Sequence, residues 1–278
     1  LQLKNLQPKR LQPRNPDSVI GPRPVKSLTL VGDFFCAPII GFAMTSFLTI
    51  ETSTPACSVA LQVGSAVTYR YSQEPRSHTK LVMGMVSELL SQAGITVADL
   101  DAIGVTVGPG SFTGLRIGFA TAQGLAFAAD LPVVAVSTLE TMVATFLRTQ
   151  PKQNNYRDKS IVAMLDARMG EFNLGCYKLT ADGQLRAEAE DQLLSGDQAL
   201  VFIEQHQPEA IVGEAGQLLT AESRWYNKLA EVFPAAEDLL AVTAVEYAAG
   251  RARPAESIEL VYLRGTEAWQ KRKRLREE

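Results

Sequence analysis

The sequence predicts an α/β protein of two related halves, each laid out strand, strand, strand, helix, strand, helix (βββαβα). Three observations carry this. Apolar and β-branched runs between Ser46 and Tyr71 are short and follow one another with no helical segment between them. Longer segments with apolar residues at helical spacing come next. The same order then restarts, more weakly, beyond a polar linker at Gln150 to Ser160.

The first strand is read at Ser46 to Ile50, the second at Cys57 to Val63 and the third at Ala66 to Tyr71, with Gly64 and Ser65 as a short hairpin link. Three antiparallel strands in succession are unlike a dinucleotide-binding domain, which starts strand, helix, strand. Leu81, Val82, Met85, Val86, Leu89, Leu90 and Ala93 form one helical stripe, and Gly94 stops it. Ala102 to Val107 reads as a strand buried on both faces, Phe112 to Ala129 as a helix, Val133 to Val136 as a strand and Leu139 to Leu147 as a third helix. In the second half, strands are expected at Ile161 to Leu165, Glu171 to Leu179, Leu185 to Leu193 and Ala210 to Val212. Helices are expected at Ala199 to Gln205 and Ala241 to Ala249. The repeated order matches the actin-like architecture (ASKHA, ribonuclease H-like) shared by actin, Hsp70 and sugar kinases. The expected organisation is 1–43 as an extension, 44–150 as the N-terminal half, and 151–278 as the C-terminal half with a basic tail.

Residues 1–43 differ from the rest. They contain Pro8, Pro13, Pro16, Pro22, Pro24 and Pro38, begin at Leu1, and show no periodicity before about Ser27. The apolar run from Leu28 to Phe42 is broken by Asp33 and Pro38, which spoils it as a secretory core. An upstream translated extension, a targeting peptide and a disordered native arm all fit, and a non-native or disordered extension is the reading adopted.

The 278 residues carry a formal net charge of −3, with 46% hydrophobic and 21% charged residues, the balance of an ordinary soluble globular protein. That argues against a general nucleic-acid binder. Cys36, Cys57 and Cys176 are few and far apart, so reduced thiols in a cytoplasmic protein are expected. No stretch reaches the roughly 18 uncharged apolar residues of a membrane span. His78 and His206 are the only histidines and have no metal-binding spacing, which removes a metalloprotease site.

The sharpest motif is Gly108-Pro109-Gly110-Ser111-Phe112-Thr113-Gly114-Leu115-Arg116-Ile117-Gly118, at a strand-to-helix junction. Ser111 is placed to cap the helix, and Gly110 with the free N–H groups there suits either an anion or a tight structural turn. It is neither a Walker A loop nor a nucleophile elbow. Glu51-Thr52-Ser53 ends the first strand. In actin-like proteins an acidic residue at this place positions metal and phosphate, and a strand-end turn held by Thr52 and Ser53 is the competing reading. Asp166 and Arg168 occupy the matching turn of the second half, as a structural ion pair or as groups facing the cleft between the halves. His78 opens the first helix as an interface or capping residue. Two small-residue stripes run along the second helix, Gly114–Gly118–Ala122 and Ala120–Gly124–Ala128. One can meet the protein's own sheet and the other a partner, or both can be internal. The tail Lys271-Arg272-Lys273-Arg274, with Arg276 and the preceding Trp269, is a solvated end or an electrostatic contact for a nucleic acid or an acidic partner.

Four blocks, Thr49–Leu61, Gly108–Ala126, Leu165–Glu171 and Val261–Lys271, make the chain from Met44 resemble the TsaB (YeaZ) family. The resemblance implies a non-catalytic partner and activator of a TsaD-like enzyme, forming N6-threonylcarbamoyladenosine at position 37 of ANN-decoding tRNAs. It implies a heterodimer with that enzyme through the first two helices, at His78, Leu81, Val82, Met85, Val86, Leu89, Phe112, Gly114, Arg116, Gly118 and Ala122. A homodimer is implied when the enzyme is absent. A TsaE-like ATPase joins, tRNA binds through the complex, and no membrane is involved. No metal and no tightly bound cofactor are implied, with ATP or ADP confined to the interface near Glu51, Thr52, Ser53, Gly110, Ser111 and Asp166. The alternative is an ATP-dependent enzyme of the actin/sugar-kinase superfamily. Against it, Gly213-Glu214-Ala215-Gly216 puts a carboxylate where a nucleotide would approach.

Overall fold

The computed structural model describes residues 45–264 apart from Pro75, Lys152 and Asp182. The extension at 1–43 and the basic tail lie outside the described residues. The first sheet is ordered β11-β5-β4-β1-β2-β3, from β1 (Ser46–Glu51), β2 (Cys57–Val63), β3 (Ala66–Ser72), β4 (Ala102–Gly108), β5 (Pro132–Ser137) and β11 (Arg253–Pro254). The second is ordered β10-β9-β6-β7-β8, from β6 (Ser160–Arg168), β7 (Glu171–Leu179), β8 (Leu185–Ser195), β9 (Ala210–Gly213) and β10 (Leu229–Ala230). In each sheet the second strand runs antiparallel to the first and the fourth runs parallel to it, in register Ile50↔Val59 and Phe47↔Ala102 in one and Val162↔Cys176 and Val162↔Ile211 in the other. This is the actin-like order repeated, as the segment reading expects.

The helices are α1 (His78–Ala93), α2 (Phe112–Ala129), α3 (Thr138–Thr149), α4 (Gly196–His206) and α5 (Ala236–Ala248). They complete a layered stack. α1 and α2 cover the outer face of the first sheet, and α4 the outer face of the second. α3 and α5 fill the space between the sheets, and they are exchanged. α3, which follows the first sheet in the chain, packs Leu139, Met142, Val143, Phe146 and Leu147 with Ile161, Ala163 and Leu165 of the second. α5, which follows the second sheet, packs Leu239, Leu240 and Val242 with Phe47, Ala60 and Val134 of the first. Being covered on all sides, α3 is buried from Thr138 to Leu147 apart from Glu140, as expected of a helix that is apolar all round.

α5 starts five residues before the apolar pattern suggests. Its first turn carries Glu237 and Asp238, and its cap is Ala235, which has no side chain to offer. The unpaired N–H groups are satisfied from other elements: Ala236 N–H donates to Ser58 Oγ at 2.9 Å and Ala235 N–H to Thr145 Oγ1 at 3.1 Å. Asp238, 5% exposed, holds Arg148 of α3 through Nε at 2.6 Å and Nη2 at 3.1 Å. Replacing Arg148 by Ala strands that buried carboxylate and is expected to cost about 2 kcal/mol in denaturant titration, the half-exposed arginine moderating the loss. Cys57 and Cys176 are buried and free, and burial pushes their thiols up to about 11 and about 12, so neither is a ready nucleophile. Among the described residues no helix is long and apolar enough to cross a membrane.

Candidate functional site

The end of β1 and the start of α2 are sewn together. Ser53 N–H and Oγ–H both donate to Glu51 Oε1, at 2.6 and 2.5 Å. Ser111 N–H donates to the Ser53 carbonyl at 2.7 Å, and Thr52 Oγ1 donates to the Gly114 carbonyl at 2.7 Å. Ser111 caps α2 as expected, its Oγ accepting from Gly114 N–H at 3.3 Å. Glu51, Thr52 and Ser53 are each no more than 1% exposed. Burial pushes the Glu51 carboxyl up to about 7, offset in part by the hydrogen bonds from Ser53. Its second oxygen, Oε2, is buried with no hydrogen-bond partner, as suits a neutral acid better than a carboxylate. A sealed carboxyl that keeps its proton up to about pH 7 is a weak cation ligand. Both donors of Ser53 and the N–H of Ser111 are spent within the protein, and Gly110 presses on the Ser53 carbonyl, which a Cβ there would approach to 2.5 Å; Gly110 and Ser111 themselves are exposed. Of the six residues considered for phosphate, five thus meet at one junction, with Glu51, Thr52 and Ser53 buried and Gly110 and Ser111 exposed. Asp166 stands in the matching turn of the second half. There Oδ1 accepts from Arg168 N–H at 2.7 Å, and Oδ2 pairs with Arg168 at 2.9 Å, the structural ion pair considered from the sequence.

The residues expected to face a partner divide, and this corrects the reading of the stripes. Val82, Val86 and Leu89 are 2%, 2% and 0% exposed and belong to the core beneath α1, because their i, i+4, i+7 spacing turns them all to the sheet. Gly114, Gly118 and Ala122 are buried too. A Cβ on Gly114 would overlap the Thr52 carbonyl oxygen, and one on Gly118 the Thr52 hydroxyl. This stripe serves the close approach of α2 to its own β1 turn. Leu81 and Met85 are half-buried against the core at its rim. His78 is half-buried and donates from Nε2 to the carbonyls of Thr54 and Ala56, at 3.0 and 3.2 Å, so it pins the β1–β2 loop to the start of α1.

The other stripe faces outward. Ala120, Gly124 and Ala128 are exposed, in line with Phe112 and Arg116 at four-residue spacing. Phe112 is 64% exposed and Phe127 is 74% exposed. The Arg116 guanidinium lies 3.3 Å from the centroid of the Phe112 ring and 5.3 Å from that of Tyr262. Met83, 49% exposed on α1, also faces solvent. Ala120, Gln123, Gly124, Phe127 and Glu256 line a shallow depression along the helix. Phe127, Met83 and Tyr262 were not singled out from the sequence. The available signal for Phe127 was an aromatic beside a run of small residues.

A polar junction between the sheets was also missed. Ser137 Oγ donates to Asp191 Oδ2 at 2.5 Å and Tyr177 OH to Asp191 Oδ1 at 2.6 Å, joining the start of α3 to β7 and β8. Burial, then the nearby Glu246 and Asp191, push Glu140 up to about 7, with Arg251 pulling the other way. Among the described residues no group of three or more His, Cys, Asp or Glu side chains is arranged to hold a metal ion.

A two-sheet actin-like protein with a closed β1 turn and an outward small-residue helix is the class these features define. A family model described as TsaD, tRNA N6-adenosine threonylcarbamoyltransferase, matches residues 71–220. The chain is 38% identical over 229 residues to the Escherichia coli K12 tRNA threonylcarbamoyladenosine biosynthesis protein TsaB, covering 81% of this chain and 96% of that protein. The Haemophilus influenzae protein of the same name is 33% identical over 237 residues, with the same two coverages of 81% and 96%. A solved Pseudomonas aeruginosa structure, described as similar to the peptidase YeaZ, superposes with a TM-score of 0.70 at 34% identity, over 80% of this chain and all of that one. The chain belongs to the TsaB family.

Proposed function

We propose that this protein is the non-catalytic partner of a TsaD-like enzyme in the formation of N6-threonylcarbamoyladenosine at position 37 of ANN-decoding tRNAs. The names of its relatives place them in the biosynthesis of that nucleoside. The observation that carries a partner role is the outward face of α2. A stripe of Ala120, Gly124 and Ala128 flanked by exposed Phe112 and Phe127 is what a second helix needs for close approach. Together with Met83 of α1 it forms a two-helix face, and a like face opposite would complete a four-helix bundle. Such a contact would cover roughly 1,200–2,000 Å². The same face takes a second copy of the chain when the enzyme is absent. A TsaE-like ATPase joins the assembly, tRNA binds through it, and ATP or ADP sits at the subunit interface, the chain alone holding none.

The test separates the two sides of α2. Gly124 has open space where its Cβ would stand, so Gly124→Leu is expected to fold with an unchanged or higher melting temperature. Gly124→Leu and Phe127→Glu are each expected to weaken capture of a purified TsaD-like protein by at least about tenfold. Wild-type affinity in both, with folding intact, removes this face as the interface. In a reconstituted modification assay supplied with the threonylcarbamoyl adenylate and ATP, the chain alone gives no turnover, and adding it to the enzyme, the ATPase and tRNA restores it. Robust turnover by the pure chain overturns the non-catalytic role.

A further inference from the structure

The segment after α5 returns over the first half before reaching the second. β11 pairs with the edge strand β5, and Ala255 and Ile258 are buried in the core of the first half. Gln123 Nε2 donates to the Ala255 carbonyl at 2.9 Å, and Val261 N–H donates to the Val107 carbonyl at 2.8 Å. Gly108, at φ +132°, sits where a Cβ would collide with the Val261 carbonyl, so this close seating requires glycine. Three residues later the same strap reaches the second half. Arg264 Nη2 donates to the Ala167 carbonyl at 3.0 Å, the Arg168 carbonyl at 3.3 Å and Glu171 Oε2 at 2.5 Å. The turn it grips is strained: Arg168, Met169 and Gly170 have φ of 67°, 61° and 76° in succession. Residues with side chains enter that region reluctantly, and two in a row persist only when their surroundings hold them. Asp166 holds the turn from below through Arg168 N–H, and the Gly170 carbonyl accepts from Gly196 N–H at 3.1 Å.

We propose that residues 253–264 form a latch between the halves: a strap fixed to the first half whose terminal Arg264 clips the strained turn of the second, and whose release lets the halves change their angle. Between anchor and clip the strap carries Tyr262, whose ring centroid is 6.0 Å from that of Phe112 and which shares Arg116 with it. Phe112 and Arg116 begin the outward face of α2, so a protein docked at that end also touches the latch. This last link rests on the partner reading of that face, and the latch itself does not.

The test uses the full chain with Arg264→Ala and Arg264→Lys. In Arg264→Ala, hydrogen exchange at the amides of Arg168 and Gly196 is expected to rise about tenfold, while β4 and α2 exchange as in the wild type. Arg264→Lys is expected to fall between, since an ammonium keeps the charge beside Glu171 but lacks the second nitrogen, Nη1, that reaches Met169 Sδ at 3.7 Å, and the planar fork that holds both. Spin labels at Ala128→Cys on α2 and Val201→Cys on α4 are expected to give a broader distance distribution in Arg264→Ala. Unchanged exchange at the turn with an unchanged distribution overturns the latch. An equal rise of exchange throughout both halves overturns it as well, because Arg264 would then be only a general contributor to stability. Neither readout needs a partner, so failure of the docking reading leaves them intact.

Discussion

Replacing Gly114 by alanine is expected to destabilise the protein by about 3 kcal/mol, the upper part of the range for overpacking. The added methyl would overlap the Thr52 carbonyl oxygen, and that backbone cannot step aside. Thr52 donates its hydroxyl to the Gly114 carbonyl, and the next residue accepts from Ser111 N–H. Alanine's better helix propensity returns at most about 1 kcal/mol, so the overlap decides the sign. Gly124→Ala, on the same helix but facing open space, is expected to gain about 0.5–1 kcal/mol. Urea titrations of both variants should show midpoints moving in opposite directions with unchanged slopes. Movement in the same direction would mean that the two faces of α2 do not differ in packing as described, and exchanged signs that they have been assigned the wrong way round.

Stability is expected to fall as pH rises from about 4.5 to about 7, and Glu51 is the main cause. Its carboxyl is raised from 4.5 to about 7 by burial. The unfolded chain therefore loses that proton first. The contribution of Glu51 is fully present below about 4.5, declines through the window, and is gone above the folded value. At about 1.4 kcal/mol per unit, the shift corresponds to roughly 3 kcal/mol across the window. Glu140, also raised to about 7, acts in the same direction. Denaturant midpoints measured at pH 5, 6, 7 and 8 should show the decline, and Glu51→Gln should remove most of it and be the more stable protein at pH 8. A wild type whose midpoint is flat or rises over this window would show that Glu51 is ionised in the folded state.

The strands and helices were legible where a period marks them, as in α1, or where a short apolar run is bounded by turn residues, as in β4. α2 was placed at Phe112 to Ala129 from its motif and apolar content, and the structure has those bounds. What the period cannot carry is which side of an element meets which neighbour. Both stripes of α2 repeat every four residues, so spacing alone could not tell that Gly114 and Gly118 face inward and Gly124 outward. Each assignment depends on where Thr52 lies, and that is set by contacts some 60 residues away in the chain (|i−j| = 62). The same limit hid the start of α5. Its donors are satisfied by Ser58 and Thr145 rather than by a capping side chain, and its buried Asp238 reads as surface until Arg148 is beside it. Ser137, Tyr177 and Asp191 carry no local motif, and only the stacking of the two sheets brings them together.

The exchange of α3 and α5 sets the order in which this chain can fold during synthesis. The first sheet is made of strands complete by Ser137, except for β11, yet its inner face stays uncovered until α5 emerges about 100 residues later. Thr49 waits for Ala236, 187 positions away, before its hydroxyl finds that acceptor. Meanwhile α3 has been made, but the sheet it needs has not. Contacts of such long sequence separation slow folding and leave apolar faces open to misassembly. Neither half has its own inner layer, so the chain is committed to folding late and as one cooperative unit. A fragment ending at the linker would present much of the inner face of a sheet uncovered, and on α3 the apolar side of Leu139, Met142, Val143, Phe146 and Leu147 without the second sheet it packs on.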